Sequence, residues 1–468
     1  MAARWILTRH SARTYAIVAL FLAVTGCKSV PDVDDMLDSE SAPPIVADAR
    51  GPLPDARRSA ILDRLTQEGR NTDLLERHLA IEQAVARNPL VIGNRVRIVR
   101  DGEDTFRAMF KAIRGARKHI NLEFYIFEDV QVDGASLGDL LVDKQRRGVA
   151  VNVIYDSVGS IATPRDFFTR LTDAGISIVE FNPINPLVAR NGYSLNNRDH
   201  RKILVVDGAT AIVGGINLSK EYETTRLRAL AGSNGGGTES YWRDTDLVIE
   251  GPAVAEIQRL FLDHWGEQKG PPIAVPDAYP KVAARGAEVI RILGSQGNDV
   301  VPRYYVTLLS AIRAAEKNIW ITAAYFVPTD QEVDALAAAA RRGVDVRLLL
   351  PGKSDSSLTL SVGRSHYSEL LEAGVNIYEM QDALLHSKTA TIDGVWSSIG
   401  SSNFDHRSIL FNDEVDAIVL GRDTAQQVER MFQVDLKTTR QIDRQEWADR
   451  PLTQRIGEFL SRTWQTLL

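Results

Sequence analysis

The amino-acid sequence predicts an α/β fold of two homologous lobes, each a mixed β-sheet flanked by helices, related by a pseudo-twofold axis and sharing one cleft. Three observations predict this fold. A motif with histidine and lysine occurs twice, similar segments flank both copies in the same order, and strand-like and helix-like patterns alternate in each half. With 468 residues, 44% hydrophobic and 25% charged, the chain can bury two substantial cores.

The repeated motif has the same spacing in both copies. The first copy consists of His200-Arg201-Lys202, four apolar residues, Asp207, six further residues and Gly214-Gly215-Ile216-Asn217. The second copy consists of His386-Ser387-Lys388, four residues, Asp393, six residues and Gly400-Ser401-Ser402-Asn403. Because the chain has only 8 histidines, chance is a poor explanation, and two equivalent half-sites are indicated.

Each copy of the motif predicts a β-hairpin. A period of two places His200 and Lys202 on one face of a strand, which the following aliphatic residues anchor in a sheet. Asp207-Gly208 and Asp393-Gly394 are typical hairpin-turn dipeptides. The return strand would bring the asparagine that ends each motif back toward the histidine.

The motif belongs to a larger internal duplication. Val96–Val99 corresponds to Ile290–Leu293, Arg146–Val149 to Arg341–Val344, and Ala174–Ile176 to Ala373–Val375. Order-preserving similarity over such a length indicates two homologous halves rather than a short solenoid repeat. We therefore expect lobe 1 at residues 92–285 and lobe 2 at residues 286–468, after a helical segment at residues 55–91.

The residue types in the motif suit a phosphodiester. Without a metal ion, attack on this anion needs donors to the non-bridging oxygens, a nucleophile, and an acid for the leaving alkoxide. Lys202, Lys388, Asn217 and Asn403 can bind the phosphate oxygens. Neutral imidazole can attack phosphorus and imidazolium can protonate the leaving oxygen, so one histidine is expected to be nucleophile and the other acid. A phospho-histidine intermediate follows, with no cofactor and no metal expected.

These motifs resemble the His-Lys-Asp signature of the phospholipase D superfamily, and their flanks resemble bacterial cardiolipin synthases. The similar stretches include Asn121–Phe127, Arg198–Lys202 and Pro351–Asp355. The resemblance implies two phospholipase D-like lobes around one shared active-site cleft. It implies the nucleophile His200 and the general acid/base His386, in a catalytic group of His200, Lys202, Asp207, His386, Lys388 and Asp393. For the two aspartates, the Asp-Gly context favours a turn role over direct chemistry.

The same family places a carboxylate behind each histidine to fix its tautomer, as an oriented imidazole requires. Glu414 is the better candidate for one histidine and Asp244 for the other. Asp246 and Asp416 remain close alternatives.

The N-terminus predicts a secretory signal peptide. Three arginines, Arg4, Arg9 and Arg13, precede an apolar run from Tyr15 to Val24 that is short for a membrane span. Val24-Thr25-Gly26-Cys27 resembles a bacterial lipobox, so residues 1–26 are expected to be cleaved. Cys27, the only cysteine, would then be lipidated at the start of a tether over residues 27–54. An uncleaved anchor helix is the alternative.

A lipidated Cys27 would hold the protein on a membrane surface of the bacterial cell envelope, facing the periplasm. The next residue, Lys28, is not the aspartate that retains enteric lipoproteins at the inner membrane, so the outer membrane is mildly favoured.

Net charge argues against a nucleic-acid partner. Loss of the signal peptide removes three arginines and no acids, which takes the formal charge from −6 to −9. The expected substrates are phospholipids: phosphatidylglycerol, with phosphatidylethanolamine and cardiolipin as further candidates. The sequence thus predicts a membrane-anchored transphosphatidylase resembling cardiolipin synthase. A hydrolase that uses water as acceptor and a non-catalytic lipid-binding module are the alternatives.

Two further segments lie outside the motifs. The residues Leu452, Ile456, Phe459, Leu460, Trp464, Leu467 and Leu468 recur at helical spacing, and core packing is favoured over membrane contact. Residues 229–240, with three consecutive glycines, predict a mobile insertion. His264, His366 and His406 lack the full motif and are expected to be structural.

Overall fold

The computed structural model describes residues 29–39, 41–69, 74–185, 194, 196–224, 241–273, 275–297 and 299–468. The predicted signal peptide, Cys27 and the glycine-rich segment at residues 229–240 lie outside the described residues.

A region of short elements precedes the first lobe and packs mainly on the second lobe. Nδ1 of His78 lies 3.1 Å from the Ser310 hydroxyl, and Arg291 donates to the Gln83 side chain at 2.8 Å. The elements of this N-terminal region are α1 (Asp34–Ser39), β1 (Val46–Asp48), β2 (Gly51–Pro52), α2 (Asp55–Glu68) and α3 (Leu74–Ala86).

The first lobe is a mixed sheet with helices packed on it. Its strands run in the order β8-β7-β4-β10-β11-β13-β3, with β4, β7 and β8 mutually parallel and the remaining pairs antiparallel. Its elements are β3 (Leu90–Arg100), α4 (Asp101–Gly115), β4 (His119–Phe124), β5 (Gln131–Val132), β6 (Ala135–Ser136), α5 (Leu137–Arg146), β7 (Ala150–Asp156), α6 (Arg165–Asp173), β8 (Ser177–Phe181), β9 (Arg198–Asp199), β10 (Lys202–Val206), β11 (Thr210–Gly214), a 3-10 turn (Lys220–Glu223), β12 (Trp242–Arg243), β13 (Thr245–Glu250) and α7 (Val254–Glu267).

The second lobe repeats this strand order. The sequence β17-β16-β15-β19-β20-β21-β14 has the same parallel and antiparallel pairs, so the predicted duplication of an α/β lobe is confirmed. Its elements are β14 (Glu288–Ser295), α8 (Arg303–Ala314), β15 (Asn318–Ala323), α9 (Asp330–Arg341), β16 (Asp345–Pro351), α10 (Ser357–Ser365), α11 (Tyr367–Glu372), β17 (Asn376–Met380), β18 (Leu384–Leu385), β19 (Lys388–Ile392), β20 (Trp396–Gly400), α12 (His406–Leu410), β21 (Asn412–Leu420), α13 (Arg422–Leu436), β22 (Thr439–Gln441), α14 (Arg444–Ala448), α15 (Leu452–Arg462) and a 3-10 turn (Gln465–Leu467).

The two lobes are joined through backbone and core. Strands β3 and β14, the corresponding strands of the two lobes, pair antiparallel. Apolar residues of both hairpins, among them Ile203, Val213 and Ile399, share one buried cluster with Ala417 of β21. Two short parallel pairs also cross between lobes, β9 with β21 and β12 with β18. The lobes therefore form one body with interleaved strand ends.

The motif aspartates anchor the hairpin turns, far along the strand from the histidines. Asp207 has a positive φ of 53° and accepts hydrogen bonds from the backbone amides of Arg117, Lys118 and His119 at 2.8 to 3.0 Å. Asp393, with φ of 52°, accepts in the same way from the amides of residues 316–318. These contacts give both residues a structural role, and the expectation that they belong to the catalytic group is not supported by their position.

The apolar side of the C-terminal helix α15 is exposed, although it was expected to pack in the core. The apolar residues of α15 and the following turn were expected in the core, but Leu452, Ile456, Phe459, Leu460 and Trp464 are between 47% and 71% exposed. Helical spacing reveals that apolar residues share a face, not whether the protein covers that face. Among the described residues, no helix is both long enough and apolar enough to cross a bilayer.

We expect Asp207→Ala to lower the free energy of unfolding by about 2 to 3 kcal/mol, because three backbone amides, those of residues 117–119, lose their charged acceptor. Urea denaturation measures the change. Asp133→Ala is the matched control, since Asp133 also precedes a glycine at positive φ (51°), so the strain of alanine there is common to both variants. Unchanged stability together with lost activity would indicate a catalytic role for Asp207.

Candidate active site

The motif histidines lie just before the strands that were predicted to contain them. Strand β10 begins at Lys202 and β19 at Lys388, each two residues after its histidine. Each lysine ammonium folds back and donates to the carbonyl of its own histidine, at 2.6 Å for Lys202 and 2.5 Å for Lys388. The imidazole and ammonium of each half-site are therefore held side by side, as the spacing predicted.

His200 is oriented by Glu414. Its Nδ1 lies 3.1 and 3.0 Å from the two carboxylate oxygens of this fully buried residue. Three side chains donate to the same carboxylate: Ser401 at 2.5 Å, Ser408 at 2.9 Å and Asn412 at 3.2 Å. With Nδ1 engaged, Nε2 of His200 is the nitrogen left for chemistry.

His386 is oriented by Asp244. Nδ1 of His386 lies 2.7 Å from Asp244 Oδ2, and the Tyr222 hydroxyl lies 2.9 Å from that nitrogen and 3.1 Å from the same oxygen. A ring nitrogen carries one hydrogen, which the carboxylate accepts, so the Tyr222 hydroxyl donates to Asp244. Burial first, and then the Asp244 charge, raise the pKa of Tyr222 well above its usual value, so the phenol keeps its proton.

Each histidine takes its carboxylate from the other lobe. Strand β9 precedes His200 and pairs with the start of β21, and the His200 amide donates to the Asp413 carbonyl at 2.9 Å, one residue before Glu414. In the mirrored arrangement β18 pairs with β12, and the His386 amide donates to the Arg243 carbonyl at 2.8 Å, one residue before Asp244. Backbone pairing thus fixes each imidazole against its partner before the side chains meet.

The alternative carboxylates hold the asparagine loops instead. Asp246 accepts from the backbone amide of Ile216 at 3.1 Å, and Asp416 accepts from the Ser402 hydroxyl at 2.5 Å. The residues that follow are Asn217 and Asn403. Asn217 accepts from the Ile126 amide at 3.2 Å, whereas the buried Oδ1 of Asn403 has no partner among the described residues. In each lobe, therefore, a buried aspartate accepts a hydrogen bond from the residue that precedes the motif asparagine.

Both half-sites belong to one electrostatic cluster. Burial lowers the pKa of His200 well below its usual value, and Lys202, Lys388 and His386 lower it further. Burial and Lys388 lower the pKa of His386 to about 4, against the opposing effect of Asp244. Lys202 also lowers the pKa of His386, so each imidazole is influenced by the lysine of the other half-site and the two half-sites lie close together. The histidine side chains are 11% and 8% exposed while their carboxylates are fully buried, so the imidazoles are the groups that face outward.

The two half-sites differ in charge. Burial raises the pKa of Glu414 to about 7. Burial would also raise the pKa of Asp244, but His386, Lys388 and the Thr245 amide together bring it below its usual value. Burial lowers the pKa of Lys202 to about 7 and that of Lys388 to about 8. His386 therefore has the more fully charged counter-ion. The negative charge of an entering phosphate would favour the protonated form of both lysines.

A buried ionic network lies behind His200. Arg201, fully buried, approaches Glu123 at 3.2 Å and donates to the Glu414 carbonyl at 3.2 Å. His264 Nδ1 contacts the same Glu123 at 2.8 Å. Glu123, Asp199 and His264 are close enough together to hold a metal ion, but Arg201 already places a positive charge on this cluster. Its residues are best described as support for the segment that carries His200.

Several site residues lacked a sequence signal. Tyr222 and Ser408 each lie five residues after the motif asparagine, and each donates to the carboxylate of its lobe. The equivalent spacing was visible, but the residue types differ, so the similarity between the halves did not reveal it. Tyr125 and Tyr325 follow the corresponding strands β4 and β15, and each packs edge-on against one histidine, with ring centroids 5.3 Å apart for Tyr125 and His200 and 6.0 Å apart for Tyr325 and His386.

Two oriented histidine-lysine pairs on duplicated lobes define a phosphatidyltransferase of the phospholipase D superfamily. Residues 109–228 and 308–436 match the family described as "Cardiolipin synthase, PLD-like domain", once in each lobe. The chain belongs to this family, and its substrates are phospholipids.

Curated relatives and a solved structure agree with this membership. The chain is 34% identical to "Cardiolipin synthase" of Geobacillus kaustophilus over 395 residues, which is 83% of this chain and 76% of the relative. It is also 34% identical to "Cardiolipin synthase A" of Pseudomonas syringae over 382 residues, covering 81% of this chain and 76% of the relative. The phosphatidylserine synthase of Haemophilus influenzae shares the fold, with a TM-score of 0.61 at 14% identity over 82% of this chain and 96% of that one.

We expect both motif histidines to remain neutral from about pH 6.5 to 8 in the free protein. Lowered pKa values mean that each imidazole releases its proton below this range. NMR spectra of histidine-labelled protein, assigned with His200→Gln and His386→Gln, would show no titration of these two signals there. A midpoint near 6.5 for either signal would contradict the electrostatic description.

Proposed function

We propose that the chain transfers a phosphatidyl group from one phospholipid to the hydroxyl of another through a phosphatidyl-histidine intermediate on His200. The observation that carries this proposal is the crossed arrangement in which each lobe supplies the carboxylate that orients the imidazole of the other. Phosphatidylglycerol is the proposed donor, in keeping with the names of the relatives. Phosphatidylglycerol is also the proposed acceptor, because its headgroup carries free hydroxyls. Phosphatidylethanolamine, whose headgroup has no hydroxyl, is a further candidate donor that would release ethanolamine.

In the first step Nε2 of His200 attacks phosphorus, a P–N bond forms, and the P–O bond to the leaving alcohol breaks. His386, as imidazolium, gives its Nε2 proton to the leaving oxygen. The free enzyme holds His386 neutral, with a pKa of about 4, but an anionic phosphate beside it favours the charged form. The roles follow the charges: Asp244 is the better counter-ion for an imidazolium, and a neutral His200 is ready to attack.

In the second step an acceptor hydroxyl attacks the phosphatidyl-histidine, His386 accepts its proton, and the P–N bond breaks. Lys202, Lys388, Asn217 and Asn403 are the proposed donors to the non-bridging oxygens in both steps. Water at the same position would yield phosphatidic acid, so the transfer reaction depends on which hydroxyl reaches the intermediate first.

We further propose that lipidation of Cys27 after removal of residues 1–26 holds the enzyme on the periplasmic side of the cell envelope, with the outer membrane favoured. Residues 27–54 were expected to form a tether, but Val33, Leu37 and Val46 are buried and β1 pairs with β3, so most of this segment belongs to the folded body. A lipidated Cys27 would therefore hold the folded body close to its lipid substrates. Globomycin, which blocks lipoprotein signal cleavage, should cause the precursor to accumulate, and the Cys27→Ala variant should lose acyl labelling.

We expect His200→Ala to abolish both turnover and the covalent adduct, because His200 is the proposed nucleophile that forms the P–N bond. Purified protein is incubated with labelled phosphatidylglycerol, with and without phosphatidylethanolamine, and products and acid-quenched adduct are resolved. His119→Gln, at the opposite edge of the sheet, is the control and should retain both. Cardiolipin formation by His200→Ala would refute the mechanism, and phosphatidic acid as the main product would identify a hydrolase.

We expect the two orienting carboxylates to respond differently to the leaving group. With bis(p-nitrophenyl) phosphate the leaving phenolate needs no proton, so the burst of nitrophenolate depends on His200 and little on His386. Glu414→Gln should slow this burst and lipid transfer by about 100-fold or more. Asp244→Asn should slow lipid transfer by a similar factor and the burst by less than about fivefold. The reverse pattern would exchange the roles of the two histidines.

A further inference from the structure

The C-terminal helix α15 is amphipathic, but its orientation is the reverse of that of an ordinary surface helix. Its polar side faces the protein: Glu458 and Ser461 are buried, and Glu458 pairs with Arg450 at 2.9 Å. Gln465, in the following turn, is also buried and donates to the Pro328 carbonyl at 2.7 Å. Its apolar side faces outward. A helix that turns its polar face to its own protein and exposes leucine, isoleucine, phenylalanine and tryptophan is built to be covered by an apolar phase.

This apolar side lies on the same edge of the molecule as the cleft. Helix α15 packs against α10, which follows the carboxyl end of β16. The turn after α15 returns to α12, where the Arg407 amide donates to the Leu468 carbonyl at 3.3 Å. Ser408, the next residue, donates to Glu414 of the His200 pair. The C-terminal segment is therefore only a few residues from the catalytic groups.

Loops at the same edge of both lobes add exposed apolar side chains. Ser160 donates to the Tyr125 carbonyl, and the neighbouring Ile161 is 70% exposed. In the second lobe Tyr325 donates to Asp355, three residues before the exposed Leu358. Because these tyrosines pack on the two histidines, Ile161 and Leu358 lie on loops close to the catalytic groups. We call the apolar rim the set Ile161, Leu358, Leu452, Ile456, Phe459, Leu460 and Trp464.

The charge of the segment suits an anionic lipid surface. After Leu452 the charged residues are Arg455, Glu458 and Arg462, and the acid is the buried one. Both arginines are exposed, but Arg462 pairs with Asp330 at 3.0 Å, so the positive charge of the segment rests mainly on Arg455. Arginine and tryptophan beside a leucine- and phenylalanine-rich face are typical of helices that lie in the membrane interface.

We propose that the apolar rim docks on an anionic phospholipid surface and opens the cleft directly onto it, a docking that is separate from any acyl anchor at Cys27. The inference rests on the proposed function for its substrate, a lipid whose acyl chains stay in the bilayer while its headgroup enters the cleft. A peripheral orientation of this kind shortens the path of each phosphodiester from the interface to His200.

The test measures vesicle binding by full-length Cys27→Ser protein, which cannot be acylated there. Vesicles contain equal parts of phosphatidylglycerol and phosphatidylcholine, and bound protein is separated by flotation. The Phe459→Ser/Leu460→Ser variant should lose on the order of tenfold or more in partition coefficient, because two exposed apolar side chains no longer enter the interface. Tyr279→Ser is the matched control: Tyr279 is 48% exposed and adjoins the Asp207 turn, at the opposite edge of the sheet, so binding should not change.

A second measurement does not depend on substitutions that weaken binding. An environment-sensitive fluorophore on Phe459→Cys, in the Cys27→Ser background, should shift to shorter wavelength with these vesicles, whereas the same label on Tyr279→Cys should not. Equal vesicle binding by Phe459→Ser/Leu460→Ser, or no spectral shift at position 459, would overturn the proposal. So would sedimentation velocity showing that these residues instead hold two copies of the chain together.

The two proposals fail separately. Binding is measured with His200→Ala as well, since docking needs no turnover. If vesicle binding depends on Phe459 and Leu460 but no phosphatidyl transfer occurs with any lipid, the docking surface stands and the catalytic proposal falls. If transfer occurs and binding is unaffected by these residues, only the docking surface is refuted.

Discussion

The exchange of carboxylates between lobes is the constraint on which the rest of the structure depends. Each imidazole is fixed twice, by its backbone amide and by its Nδ1, and both contacts come from the opposite lobe. Strand β3 pairs with β14 and the hairpins share a core, so the lobes cannot shift without moving both histidines. Neither lobe alone contains a complete half-site, and the precision of the cleft is set by the fit between lobes.

Burial decides the charge state of the site. The two histidines and two lysines of the motifs lie in a region with little water. Their burial keeps both histidines neutral and lowers the pKa of both lysines. The empty cleft therefore carries less positive charge than its composition suggests. A phosphodiester supplies the missing negative charge, and its arrival favours lysine ammonium and imidazolium together. The protonation of the histidines and lysines is thus coupled to the binding of the phosphodiester.

Much of the fold was accessible from the sequence because duplication makes a pattern visible twice. The hairpins, the two-lobed α/β architecture and the side-by-side placement of histidine and lysine followed from spacing alone. The pairing of Glu414 with His200 and of Asp244 with His386 did not, since nothing in a linear sequence records which lobe supplies a contact. Tyr222 and Ser408 were missed because they differ between the halves. The C-terminal helix was assigned to the core because periodicity cannot distinguish a face covered by protein from one left open.

The mirrored β9–β21 and β12–β18 pairs also bear on the origin of the chain. A single ancestral half, forming a symmetric homodimer, would satisfy the same crossed contacts with two identical subunits. Fusion into one polypeptide guarantees one copy of each half and releases them from identity. The present differences, glutamate against aspartate behind the imidazoles and arginine against serine between histidine and lysine, are specialisations that a homodimer could not have acquired.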